Sequence, residues 1–188
     1  MNNLTNRKII GFDMDGVIID HSERKVILAK ELGFIIKKTE TTPEVMKKLL
    51  PEPKYRKLQY FLYDDPQKEF LPLLMFGVKP VLSRLKRDKV PFFVISRRQK
   101  HDIAIKLLRK HGLWPRFFNK KNSFFVDKIE DKEIVAKKLG ITHYIDDDQR
   151  VLTALVSVKN KFLFDSLGVF KNSGYTRVGS WREISKLL

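Results

Sequence analysis

At 188 residues, 43% of them apolar, the chain is long enough for one compact domain with a modest insertion and rich enough in apolar side chains for a real core. It contains no cysteine, which excludes disulfides and thiolate catalysis, leaves oxygen or histidine to hold any metal, and fits a cytoplasmic protein. A formal charge of +16 favours anionic partners, no apolar run reaches the roughly eighteen residues of a membrane span, and the start MNNLTNRKII lacks the apolar stretch of a secretory signal.

The first element is Ile9–Phe12, a short apolar run that reads as a buried strand and ends in Asp13-Met14-Asp15-Gly16. His21–Leu74 then reads as helical pieces, Glu23–Leu32, Pro43–Leu50 and Tyr55–Leu62, jointed by Pro43, Pro51, Pro53, Pro66 and Pro72, with no strand required. From Met75 onward strand and helix alternate. Lys79–Asp88 is a helix with Val81, Leu82 and Leu85 on one stripe, and Val90–Ile95 is a strand with a proline near its start. Gln99–His111 is a helix stopped by Gly112, followed by strand Ser123–Val126 and helix Asp131–Leu139, which stops at Gly140. Strand His143–Ile145, helix Arg150–Val156 and strand Lys161–Asp165 complete the series. Such alternation predicts an α/β, Rossmann-like parallel sheet of about five strands with helices on both faces.

The chemistry sits at strand ends. An ionised carboxylate is costly to desolvate without a partner, so two of them closing an apolar strand point to a metal ion or a reacting group. Three later runs also lead into useful side chains: Val90–Ile95 into Ser96-Arg97-Arg98, Ser123–Val126 into Lys128 and Lys132, and His143–Ile145 into Asp146-Asp147-Asp148. In an open α/β sheet the carboxyl ends of the strands are where ligands bind.

A strand then DxDG, a strand then serine, a lysine, and a strand then an acidic pair, in this order, resemble the haloacid dehalogenase-like (HAD) hydrolase superfamily. The resemblance runs over Arg7–Asp20 and Met75–Phe164. It implies a catalytic core of residues 1–20 and 75–188, with the Ile9–Phe12 strand at the centre of the sheet, and a small all-helical cap inserted at 21–74. It implies a magnesium-dependent phosphatase with an aspartyl-phosphate intermediate. Asp13 is then the nucleophile, Asp15 the acid and base, Ser96 a donor to the phosphoryl group, and Lys132 its charge partner, with Lys128 as the alternative lysine. Mg2+ would be held by Asp13, the backbone carbonyl of Asp15 and an acid of the pair, Asp147 before Asp146. The common Gly-Asp form of that pair is replaced here by three aspartates, and Asp148 reads as solvated or as a helix amino-terminal cap.

One of Arg97 and Arg98, with Arg97 the first choice, is a candidate for contact with substrate, and a solvent-facing arginine is at least as good a reading. His21 reads as a partly exposed loop residue. His101, His111 and His143 have no metal spacing, while Trp114 and Trp181 read as packing residues. Tyr60, Phe61 and Tyr63 either line a pocket or pack the helical segment. The implied partner is an anionic phosphorylated small molecule; a phosphomutase uses the same acids. A nucleic-acid-associated basic protein on the same scaffold is the competing class, although most basic residues fall on the polar faces of amphipathic helices.

Overall fold

The computed structural model describes residues 8–65 and 72–188, so Arg7 and Pro66 lie outside the described residues. Among the described residues the chain forms eight strands and eight α-helices. Strands β1 (Ile10–Phe12), β4 (Phe92–Arg97), β5 (Ser123–Val126), β6 (His143–Asp146), β7 (Asn160–Phe164) and β8 (Thr176–Val178) build one sheet in the order β5-β4-β1-β6-β7-β8. All of its pairings are parallel, as expected when helices carry the crossovers. Helices α4 (Val78–Arg87), α5 (His101–Lys110), α6 (Ile129–Leu139), α7 (Gln149–Ala154) and α8 (Trp181–Leu187) flank it.

One expectation is refined and one corrected. The expected parallel sheet of about five strands is present with six, because Thr176–Val178 adds at the edge beside β7. Only three residues long and exposed at two of them, β8 has no periodicity to read; its backbone pairing, the buried Val178 side chain and the Arg177–Asp165 ion pair hold it. The stretch 21–74 is not free of strands: β2 (Ile19–Asp20) pairs antiparallel with β3 (Leu73–Leu74) where the chain leaves and re-enters the core. Two-residue strands carry too little pattern to register against the prolines around them.

The burial follows the apolar pattern. β1 is wholly buried, and with Met14, Val17 and Ile18 it meets the inward stripe Val78, Val81, Leu82 and Leu85 of α4. Each such side chain contributes about 1.5–3 kcal/mol when fully buried. The Trp181 indole of α8 packs on Phe12 with ring centroids 5.0 Å apart and donates to the Val17 carbonyl at 2.7 Å. It is indeed a packing residue, and Trp114 packs against the same core.

Helices α1 (Ser22–Glu31), α2 (Pro43–Leu49) and α3 (Glu52–Tyr63) gather around an apolar cluster of their own, including Leu28, Met46, Tyr55 and Leu58. The face of α3 carrying Tyr55, Leu58, Gln59, Leu62 and Tyr63, spaced as successive turns of one stripe, looks into a cavity at the carboxyl ends of the strands. No helix among the described residues is long and apolar enough to cross a membrane.

Candidate active site

Register assembles the site. Phe12 lies opposite both Val94 and Ile145, so Asp13 and Asp146 emerge next to each other at the ends of β1 and β6, with Ser96 nearby on β4. The Asp13 amide donates to the Ile145 carbonyl at 2.9 Å, which fixes the chain where β1 ends. Lys132, in the first turn of α6 and 2% exposed, donates to Asp13 Oδ1 at 2.7 Å and to Asp146 Oδ2 at 2.9 Å. Lys128 is exposed and stands just before that helix, its amide donating to Asp131 Oδ2 at 3.1 Å. Between the two lysines, Lys132 alone joins the acids.

Burial raises the Asp13 carboxyl above the usual range against the pull of the Lys132 charge, and it pushes Asp146 up to about 7. Facing two carboxylates, Lys132 is held well above the ordinary lysine value despite burial. Asp147 is pushed well above the carboxylate range by burial, with the neighbouring Asp146 and Asp13 adding to it. Asp13, Asp146 and Asp147 each present an oxygen within 4.8 Å of the others. Three crowded carboxylates sharing one lysine charge leave net negative charge in a half-closed site, and a hard divalent cation with oxygen ligands fits that set.

Gly16 makes room for it. Its φ of +87° is one that side chains rarely adopt, and an added Cβ would collide with the Asp147 carboxylate. Gly16→Ala is therefore expected to lose about 1–2 kcal/mol for the left-handed conformation alone. By displacing Asp147 it should also weaken the binding of any divalent cation held by the acidic group. Urea denaturation and titration calorimetry check both effects; a variant with unchanged stability and metal affinity contradicts this geometry.

Asp15 faces a different set of partners. Arg98 grips its carboxylate through two bonds, Nε to Oδ2 at 2.7 Å and Nη2 to Oδ1 at 2.5 Å. His21 Nε2 lies 2.6 Å from Oδ1, and Ser96 Oγ lies 3.5 Å from Oδ2. Burial would raise the Asp15 pKa, but the Arg98 charge and the His21 hydrogen bond outweigh it and hold the carboxyl far below its usual range. Arg98 also donates to the Tyr63 carbonyl at 3.1 Å and lies over the Tyr63 ring at 4.3 Å, tying the end of β4 to the end of α3.

Two sequence expectations change here. His21 is buried, not partly exposed, because it completes the hydrogen bonding of Asp15. Arg98 is also buried, at 3% exposure, and is not a solvent-facing side chain; Arg97 is exposed and lines the cavity. Strand alternation carried a signal for Arg98, which follows the last residue of β4 two positions after Ser96 and, like it, approaches Asp15. No comparable signal existed for His21, whose approach to Asp15 depends on the turn after Gly16.

The remaining residues sort plainly. Asp148 accepts from the Arg150 amide as the amino-terminal cap of α7. His101, His111 and His143 stay outside the acidic group. Phe61 packs in the helical cluster, Tyr60 is exposed, and Tyr63 reaches the cavity. That cavity, about 80 Å³, is bounded by Asp13, Asp15, Ser96 and Lys132 on the sheet side and by α3 on the other.

No family model and no curated protein matches the chain by sequence. Solved structures do match, over 94% to 98% of it. A HAD hydrolase of family IA, variant 3, from Entamoeba histolytica has a TM-score of 0.64 at 18% identity, covering 94% of each chain. A HAD-superfamily hydrolase of subfamily IA, variant 1, from Geobacter sulfurreducens has a TM-score of 0.61 at 18% identity, covering 97% of this chain and 100% of that one. A HAD family hydrolase from Deinococcus radiodurans, with bound phosphate and sodium, has a TM-score of 0.57 at 16% identity over 96% and 97% of the two chains. The chain has the fold of the HAD-superfamily hydrolases, in agreement with the resemblance carried by its four motifs.

Proposed function

We propose that this protein is a magnesium-dependent phosphatase that hydrolyses a small phosphate monoester through an aspartyl-phosphate on Asp13. The observation that carries the reading is the buried Lys132 ammonium bridging Asp13 and Asp146 beside Asp147, all at the carboxyl ends of adjacent strands. The fold shared with HAD hydrolases supports it, and so does the phosphate bound in the Deinococcus radiodurans neighbour. A cavity of about 80 Å³ suits a small phosphorylated molecule better than a polymer.

In this reading residues 1–20 and 75–188 form the catalytic core, and the helices within 21–74 form a cap whose α3 face closes the cavity. Asp13 attacks phosphorus, and the bond to the leaving oxygen breaks as that oxygen takes a proton from Asp15. A water then attacks the phosphorus, gives a proton to Asp15 and releases inorganic phosphate from Asp13. Lys132 orients the Asp13 carboxylate and, with the Ser96 hydroxyl, binds the phosphoryl oxygens where charge is greatest. Arg97 contacts the rest of the substrate. Arg98 and His21 favour the ionised form of Asp15, which is the form that accepts the proton of water. Donation to the leaving oxygen therefore requires Asp15 to loosen from that pair.

Asp13, the Asp15 backbone carbonyl and Asp147, with Asp146 alongside, would hold Mg2+, which supplies charge neutralisation between the attacking carboxylate and the anionic phosphoryl group. Hydrolysis of 4-nitrophenyl phosphate with and without magnesium tests this dependence. Activity should be lost on chelation with EDTA and return when magnesium is added back. Undiminished turnover in EDTA contradicts it.

A further inference from the structure

Of the cationic side chains around the cavity, Arg97 stands apart. Lys132 is bound to Asp13 and Asp146, Arg150 to Asp148, Arg98 to Asp15, and Lys25 to the Thr41 carbonyl at 3.0 Å. Arg97 makes no ion pair or hydrogen bond among the described residues, although five aspartates border the same cavity. It sits where this cavity meets a second, more open cleft; Gln59, Tyr63 and Arg97 border both.

An exposed arginine usually needs no explanation. This one stands at a cavity mouth directly after Ser96, near enough to the Tyr55 hydroxyl for its charge to bear on that group. Tyr55 in turn accepts from Gln59 Nε2 at 3.4 Å, so a phenol, a primary amide and an unpaired guanidinium are gathered at one place. A guanidinium presents a planar fork of donors that matches a carboxylate or phosphate with two parallel bonds. The aspartates do not satisfy it: Asp13, Asp15, Asp146 and Asp148 are each engaged by another cation, and Asp147 sits with Asp13 and Asp146 in the acidic group.

Resting on the phosphatase reading, we propose that the substrate is a compact phosphate monoester carrying a second anionic group on its leaving portion, bound by Arg97 with help from Tyr55 and Gln59. Volume limits what fits between the two anions. The cavity is small, about 80 Å³. A short carbon chain between the phosphoryl group and Arg97 suits a space of that size.

The test compares 2-carboxyethyl phosphate with 3-methylbutyl phosphate, its uncharged isostere, and uses 4-nitrophenyl phosphate to report on the phosphatase itself. For the wild type, kcat/KM should favour the carboxylated ester at least about tenfold, the ratio equivalent to one good charge-assisted contact. Arg97→Ala should bring the ratio close to one, chiefly by raising KM for the carboxylated ester, and Arg97→Lys should restore part of it. Equal turnover of the two alkyl esters by the wild type overturns the second-anion assignment and leaves the phosphatase reading standing. So does turnover of 4-nitrophenyl phosphate alone. No turnover of any of the three overturns both.

Discussion

Asp13→Asn is expected to remove turnover of 4-nitrophenyl phosphate by a factor of about 10⁴ or more while leaving the protein folded, since loss of a covalent nucleophile is among the largest single-residue effects in catalysis. The amide keeps the size of the carboxylate and can still meet Lys132 Nζ, which lies 2.7 Å from Asp13 Oδ1. It cannot attack phosphorus. Replacement also removes one of three crowded negative charges, so stability should hold or rise. Activity within tenfold of wild type contradicts the assignment of Asp13; loss of activity together with loss of the folded circular dichroism spectrum would require Asp13→Ser as a second variant, with the same expectation.

Lys132→Met should produce the largest loss of stability. The ammonium is 2% exposed and answers two buried carboxylates, and removing one partner of such a cluster typically costs about 3–5 kcal/mol. Methionine keeps the length of the stem, which isolates the charge as the cause. Because a divalent cation supplies positive charge at the same place, magnesium should raise the melting temperature of Lys132→Met more than that of the wild type. Urea denaturation and thermal melts with and without magnesium check this. A variant within about 1 kcal/mol of wild type, or one indifferent to magnesium, contradicts the account of the cluster.

Much of this site is legible in the chain because strand ends are. An apolar run followed at once by a charge marks where a strand leaves the core, and Asp13, Ser96 and Asp146 all fall at such breaks. Parallel register then does the rest: with Phe12 opposite Val94 and Ile145, residues far apart in sequence converge without further specification. Lys132 was harder to separate from Lys128, since a lysine-rich chain supplies both by chance. Only the phase of α6 turns Lys132 inward and leaves Lys128 at the exposed start of the helix.

Other parts were not legible, for identifiable reasons. β8 is held by backbone hydrogen bonds to β7, an ion pair and one buried side chain, Val178, too little to make a pattern, and α8 attaches through Trp181, a residue whose partner Val17 lies at the other end of the chain. The arrangement around Asp15 depends on the path of the chain between Gly16 and His21 and on the position of α3, both tertiary matters. Strand alternation alone could have paired Ser96 with Arg98; a rule that arginines face solvent hid it.

The most direct measurement of the central claim is chemical trapping of the intermediate. Enzyme turning over 4-nitrophenyl phosphate with magnesium is quenched in acid, reduced with borohydride and mapped by mass spectrometry, which converts an aspartyl-phosphate to homoserine. Homoserine at position 13, absent without substrate, is the result expected. Homoserine at position 15, or turnover with no reducible residue, would contradict a mechanism built on Asp13.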